Sequence, residues 1–76
     1  MKYITRTTQK TMLPEGESIF CVDATVITII DEAAGEFLEI KQNTDDGERR
    51  LLVDPHEWPT LRAAIDDMIG ECKEEA

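Results

Sequence analysis

Residues 25–30 (TVITII) constrain the fold most, because this stretch carries large apolar side chains on both of its alternating faces. In an extended strand Val26 and Ile30 point to one side, and Ile27 and Ile29 point to the other. A strand in a single-layer sheet normally has one polar face, so a strand that is apolar on both sides needs cover on each. The stretch predicts a central strand and favours association of two copies of the chain.

Three further short runs have the composition of β-strands, at residues 19–22 (IFCV), 37–41 (FLEIK) and 50–53 (RLLV). Polar segments at residues 31–35 (DEAAG) and 43–47 (NTDDG) separate the last three runs, and each ends in a glycine that tolerates a positive φ. Short connections of this kind join antiparallel neighbours. The sequence therefore predicts a four-stranded antiparallel sheet.

A helix is predicted after the last strand. Asp54 can cap free amide groups, Pro55 is compatible with the first helical position and Glu57 completes a capping box, although Pro59 favours a start nearer Trp58. Apolar residues then recur with a period of 3.6, which predicts a helix packed on one face of the sheet. This stripe comprises Trp58, Leu61, Ile65, Met68, Ile69 and Cys72.

The predicted fold is α+β, with the order β-β-β-β-α and a C-terminal helix. Its predicted core contains Ile27, Ile29, Leu38, Ile40, Leu51, Val53, Trp58, Leu61 and Ile65.

The chain has 76 residues, with 17 acidic and 8 basic side chains. A domain of this size buries only about 60% of the surface that its unfolded chain exposes, so we expect one domain and a homodimer. Residues 1–14 contain basic but no acidic side chains and are predicted to form an arm or an edge strand, and residues 15–76 the α+β domain. Without a cysteine framework, a signal region or a membrane-length apolar run, we expect a cytoplasmic protein that makes no membrane contact.

Motifs for catalysis or metal binding are weak. His56 is the only histidine, and one histidine with two distant cysteines matches no metal-ligand spacing. Residues 43–48 are rich in carboxylates, but the glycine falls one position early for a calcium loop and a hairpin turn is favoured. Cys21 and Cys72 lie in apolar registers and are expected to be buried, inert thiols. We therefore expect no enzymatic activity, no metal and no cofactor.

The acidic body is the feature that bears on function, since such a surface attracts basic protein partners. Helical spacing predicts that the partner-binding carboxylates are Asp66, Asp67, Glu71 and Glu74. The alternative is single-stranded nucleic-acid binding through basic side chains, which the net charge disfavours. The candidates for that role are Lys2, Arg6, Lys10, Lys41, Arg49 and Arg50.

The order of elements resembles the single-stranded-DNA-binding transcriptional coactivator family known as positive cofactor four. The resemblance rests on residues 26–29 (VITI), Gly35, residues 37–40 (FLEI), Gly47, residues 51–58 (LLVDPHEW), Leu61 and Ile65. It implies four antiparallel strands and a helix, a homodimer, and DNA binding by basic and aromatic residues of the sheet. Residues 18–40 contain no lysine or arginine, so the fold is expected to carry over without the DNA binding.

Residues 3–8 (YITRTT) and 54–59 (DPHEWP) also look like short strings in small proteins encoded by bacteriophages and prophages. The resulting hypothesis is a non-enzymatic, acidic, phage-related module that binds and modulates a basic host or phage protein in the bacterial cytoplasm. A coactivator-like module that binds single-stranded nucleic acid and regulates transcription is the alternative.

Overall fold

The computed structural model describes residues 1–73, which form four antiparallel strands followed by one helix. Each strand pairs with the next, so the order across the sheet is β1-β2-β3-β4. The predicted α+β architecture is confirmed. The elements are β1 (Gln9–Met12), β2 (Thr25–Glu32), β3 (Gly35–Thr44), β4 (Gly47–Val53) and α1 (Trp58–Glu71).

Two tight hairpins set the register of the sheet. Gly35, opposite Glu32, follows one two-residue loop with φ of 127°, and Gly47, opposite Thr44, follows the other with φ of 122°. These φ values disfavour any residue with a Cβ. The Thr44 hydroxyl donates a hydrogen bond to the Gly47 carbonyl over 2.6 Å, which further fixes the second hairpin.

The first strand differs from the prediction, because residues 19–22 form turns. The amide of Cys21 donates to the carbonyl of Ser18 at 3.0 Å, and the amide of Ala24 donates to the carbonyl of Cys21 at 3.1 Å. These local bonds occupy groups that a ladder would need. The first strand is β1, within the basic N-terminal segment, where polar side chains suit an edge position.

The two faces of the sheet have different chemistry. Residues that lie opposite each other in adjacent strands share a face, so Ile27, Ile40 and Leu51 form one row and Ile29, Leu38 and Val53 form the next. We call these six residues the aliphatic face. On the other side, called the mixed face, Val26, Thr28, Ile30, Phe37, Glu39, Lys41, Arg50 and Leu52 alternate with them.

A short ordered connector leads from β4 to α1. The Asp54 carboxylate accepts a hydrogen bond from the His56 amide at 2.8 Å, and the Asp54 carbonyl accepts one from the Glu57 amide at 2.9 Å. Glu57 is the N-cap and Pro59 lies in the first turn, so the helix begins at Trp58, the later of the two predicted starts.

The helix does not pack on its own sheet, and this part of the prediction is wrong. No residue of α1 is buried, and Trp58, Ile65 and Met68 are 40%, 42% and 67% exposed. The radius of gyration is 15.6 Å, whereas a compact chain of this length has about 11 Å. Periodicity shows that a helix has an apolar face but does not specify which surface covers it.

The core is correspondingly small. Within residues 1–73 the buried apolar side chains are Ala24 and Val53, each 3% exposed. Val53 confirms one member of the predicted core, whereas Leu51, Trp58 and Ile65 are exposed. The remaining predicted members are half-buried, namely Ile27, Ile29, Leu38, Ile40 and Leu61.

Candidate interaction surfaces

The apolar stripe of α1 is an open surface. Ala64, Ile65, Met68, Ile69 and Cys72 line a shallow hollow along one side of the helix. Cys72 is exposed and Cys21 is half-buried, so the expectation of two buried thiols is wrong. The stripe was predicted from sequence, and the structure adds that nothing within residues 1–73 covers it.

Most of the aliphatic face is also uncovered, although Val53 within it is buried. Leu51 is 50% exposed, and Ile27, Ile29 and Ile40 are each half-buried within the sheet. Thr7, Thr8 and Lys10 lie at the margin of this face and line a hollow with Ile27, Ile29 and Leu38. Two apolar surfaces of one small chain are therefore accessible at the same time.

Three of the four predicted partner-binding carboxylates lie on the C-terminal half of α1. Asp66, Asp67 and Glu71 are exposed there, and Glu74 lies outside the described residues. Asp67 and Glu71 are four positions apart and so neighbour each other on the helix surface. Arg62 approaches Asp66 at 3.8 Å, which leaves Asp67 and Glu71 as the carboxylates without an ion-pair partner in the described part of α1.

Arg6 belongs to the predicted basic set, but its charge is satisfied within the chain. Its guanidinium donates two hydrogen bonds to the Glu36 carboxylate, at 2.8 and 2.9 Å. These bonds raise the pKa of Arg6 and lower the pKa of Glu36. Nearby, the Ile29 amide donates to the Thr8 carbonyl at 2.8 Å. The segment before β1 is thus joined to the sheet at two points.

Two more of the basic candidates are paired with carboxylates on the mixed face. Arg50 donates to Glu39 at 2.6 Å, and Lys41 lies 3.4 Å from Glu48. Lys41 and Arg50 are directly opposite in the register of β3 and β4. Each positive charge here has a neighbouring negative charge, so the pair does not form a basic patch.

The remaining basic candidates are dispersed. Lys10 lies opposite Ile27 and Arg49 lies opposite Gln42, so both belong to the side of the sheet that carries the aliphatic face. Lys2 lies in the exposed segment before β1. The six candidates therefore occupy both faces and the N-terminal segment, and the structure does not bring them together.

A further apolar patch was not predicted, because its residues were assigned to a strand. Ile19, Phe20 and Val22 are 59%, 80% and 53% exposed in the turns between β1 and β2. Phe20 and Ala24 border a hollow of about 500 Å³ on the mixed face. In the sequence, residues 19–22 form an unbroken apolar run that shows neither the alternation of a half-buried strand nor the 3.6-residue period of a helix, and this was the signal available.

His56 is exposed in the connector, and its amide rather than its ring makes the hydrogen bond to Asp54. No cluster of three or more histidine, cysteine, aspartate or glutamate side chains in this range could hold a metal ion. Nor does the described chain contain a helix with the length and apolar composition needed to cross a membrane.

No protein-family model, curated protein or solved structure matches the chain. The resemblances to the coactivator family and to phage proteins stay predictions.

Proposed function

We propose that the protein is a small, non-enzymatic, homodimeric interaction module that binds a basic protein through the carboxylates of α1. The resemblance to phage-encoded strings suggests that this partner is a host or phage protein in the bacterial cytoplasm, whose action the module modulates.

The placement of acidic residues on α1 carries this proposal. The C-terminus of a helix has negative dipole character, and acidic side chains in the last turn are unfavourable there by about 0.3–1 kcal/mol each. Nevertheless Glu71 occupies the last turn, which contains no basic residue, and the first turn contains no acidic one. This arrangement does not serve helix stability, and it places Asp67 and Glu71 in solvent, where a basic partner can reach them.

The pairing of basic groups makes the nucleic-acid alternative weaker. Phosphate contacts need lysine or arginine side chains that are available to neutralise charge. Arg6, Lys41 and Arg50 already contact carboxylates, which a phosphate would have to displace. Binding of single-stranded nucleic acid is therefore an alternative outcome of the experiments rather than a second proposal.

A direct test uses a fluorescent, lysine-rich peptide as the probe and measures its affinity by polarisation at two salt concentrations. The variant changes Asp66→Asn, Asp67→Asn and Glu71→Gln together. We expect its affinity to fall about tenfold or more, about 1.4 kcal/mol, at low salt, and the difference to shrink as the Debye length falls below about 8 Å.

A matched control distinguishes binding at the α1 carboxylates from a general effect of the protein's net charge. Glu15→Gln, Glu17→Gln and Asp23→Asn remove the same charge from exposed positions between β1 and β2. This control should bind the probe nearly as well as the parent. Equal losses in the two triple variants would contradict the α1 site, because net charge alone would then explain the affinity. The same variants can be used to capture the natural partner from bacterial lysate, with and without nuclease.

A further inference from the structure

Exposed surface far exceeds what a compact chain of this mass requires. The chain exposes 7081 Å², whereas a compact monomer of its 8.6 kDa exposes about 4,700 Å². The excess is about 2,400 Å² per chain, to which the extended residues 1–8 also contribute. Two copies that buried most of it would form an interface within the roughly 2,000–5,000 Å² of obligate dimers.

The connector directs α1 away from its own sheet. Asp54 accepts two hydrogen bonds from the backbone of residues 56 and 57, and the Glu57 carbonyl accepts one from the Leu61 amide at 2.9 Å. Pro55 and Pro59 restrict φ on either side of the cap. With α1 held away from the sheet, this chain covers neither the stripe nor most of the aliphatic face, so another molecule can cover each surface.

The two surfaces match in chemistry and size. The 14 residues of α1 span about 21 Å, and the 10 residues of β3 span about 33 Å, so the stripe fits along the strands. On the side of the sheet that carries the aliphatic face, Lys10 lies in the row of Ile27, and Arg49 lies in the row of Gln42. The other residues of both rows are uncharged. The α1 carboxylates Asp67 and Glu71 lie away from the stripe, so the match between the two surfaces is one of apolar chemistry and length.

We propose that the protein forms a two-fold homodimer in which α1 of each copy lies on the aliphatic face of the other. A second copy is the partner that presents both surfaces at once, and one reciprocal contact then covers both stripes and both sheets. In this dimer Asp67, on the opposite side of α1 from Ile65, points to solvent. The inference rests on the homodimeric module proposed above and specifies its self-contact.

The experiment measures molar mass by light scattering at about 50 μM, a concentration suited to weak homodimers. The parent should have about twice the 8.6 kDa chain mass. Ile65→Asp on the stripe and Leu51→Asp on the aliphatic face should each be monomeric, because each would bury an unpaired carboxylate. We expect each to raise the dissociation constant at least about 100-fold.

Matched controls lie beside the test positions. Leu52→Asp lies next to Leu51 but on the mixed face, and the two leucines are 49% and 50% exposed. Ala63→Asp lies on α1 opposite the stripe. Both controls should remain dimeric. Far-UV circular dichroism checks that each variant is folded. We expect folding to be retained, because Ile65 and Leu51 are exposed in a single chain.

Mixing the two monomeric variants tests the helix-on-sheet arrangement. A mixed pair of Ile65→Asp and Leu51→Asp retains one intact contact, from the normal helix of one chain to the normal aliphatic face of the other. Dimers should therefore reappear on mixing. A mixture that stays monomeric would overturn the arrangement in favour of helix-to-helix and sheet-to-sheet contacts, in which every contact would contain one altered surface.

A measurement on the parent alone covers the case in which a variant fails to fold. Trp58 is 40% exposed in the single chain and lies at the start of the stripe, so its fluorescence should shift to longer wavelength as the parent is diluted. A monomeric parent mass would overturn the dimer. Emission that does not change while the mass halves on dilution would overturn the placement of α1 in its interface. Peptide binding by the acidic site is measured separately, and its loss would leave these results unchanged.

Discussion

Arg6 and Glu36 are joined by two hydrogen bonds, at 2.8 and 2.9 Å, although they lie 30 positions apart in the chain. The contact holds the segment before β1 against the start of β3. Because Arg6 stabilises the charged form, the pKa of Glu36 is lowered in the folded protein. The contribution of this pair to stability is therefore present above the unfolded-state pKa of Glu36 and is lost as the pH falls through its folded-state pKa.

The first prediction follows from that contact. In Arg6→Gln the Glu36 carboxylate loses its partner, so its pKa should rise toward the ordinary value. An NMR titration of the Glu36 side-chain carboxyl carbon measures this change. Arg62→Gln, which removes a guanidinium from α1, should leave the Glu36 titration as in the parent. A Glu36 titration that is the same in parent and Arg6→Gln would show that the pair does not form in solution.

The second prediction concerns backbone conformation at two glycines. Gly47 has φ of 122°, so Gly47→Ala should destabilise the protein by about 1–2 kcal/mol even though no atom lies within 4 Å of the added Cβ. Gly70 is helical and its Cβ position is equally open, so Gly70→Ala should stabilise α1 by up to about 1 kcal/mol. Urea unfolding measures both. If both substitutions changed the free energy of unfolding in the same direction, the conformations assigned to Gly47 and Gly70 would be contradicted.

The third prediction concerns the small core. Val53 is 3% exposed, and Val53→Ala should lower the free energy of unfolding by about 2 kcal/mol, from lost burial and the cavity left behind. Val22 is 53% exposed, and Val22→Ala should change it by less than about 0.5 kcal/mol. Urea denaturation at one fixed protein concentration compares them, since association would make stability concentration-dependent. Similar losses in both variants would place Val53 outside the core.

Much of the fold was predictable because β2, β3 and β4 follow clear local patterns. The run at residues 25–30 consists entirely of β-branched residues, which favour strands, and Gly35 and Gly47 mark hairpins whose short loops fix the register. Residues 19–22 have similar composition but form turns, because local bonds such as that from Cys21 to Ser18 compete with a ladder. Composition alone does not reveal that competition.

Tertiary arrangement was less predictable than the elements. The stripe of α1 was evident, yet no local pattern shows that it lies away from the sheet, after a connector that the Asp54 hydrogen bonds and the Glu57 N-cap order. For the candidate site, helical spacing predicted the solvent exposure of Asp67 and Glu71. The pairing of Arg6 with Glu36 links distant segments, and no local pattern encodes it.

The last prediction addresses nucleic acid. The parent should show no binding to a fluorescent single-stranded oligothymidylate at about 150 mM salt, because binding requires lysine and arginine side chains to replace phosphate counterions. Arg6, Lys41 and Arg50 are held by Glu36, Glu48 and Glu39 instead.

A variant that removes the paired carboxylates tests whether ion pairing is what prevents nucleic-acid binding. Changing Glu36, Glu39 and Glu48 to Gln makes all three basic side chains available, so weak binding should appear at low salt, with a logarithmic salt slope of about −0.7 per phosphate contacted. Fluorescence polarisation measures both proteins across a salt series. Strong binding by the parent, steeply salt-dependent and abolished by Arg49→Gln with Arg50→Gln, would contradict the proposed function. It would instead support the coactivator-like alternative, because phosphate contacts at the edge of β4 would then account for the affinity.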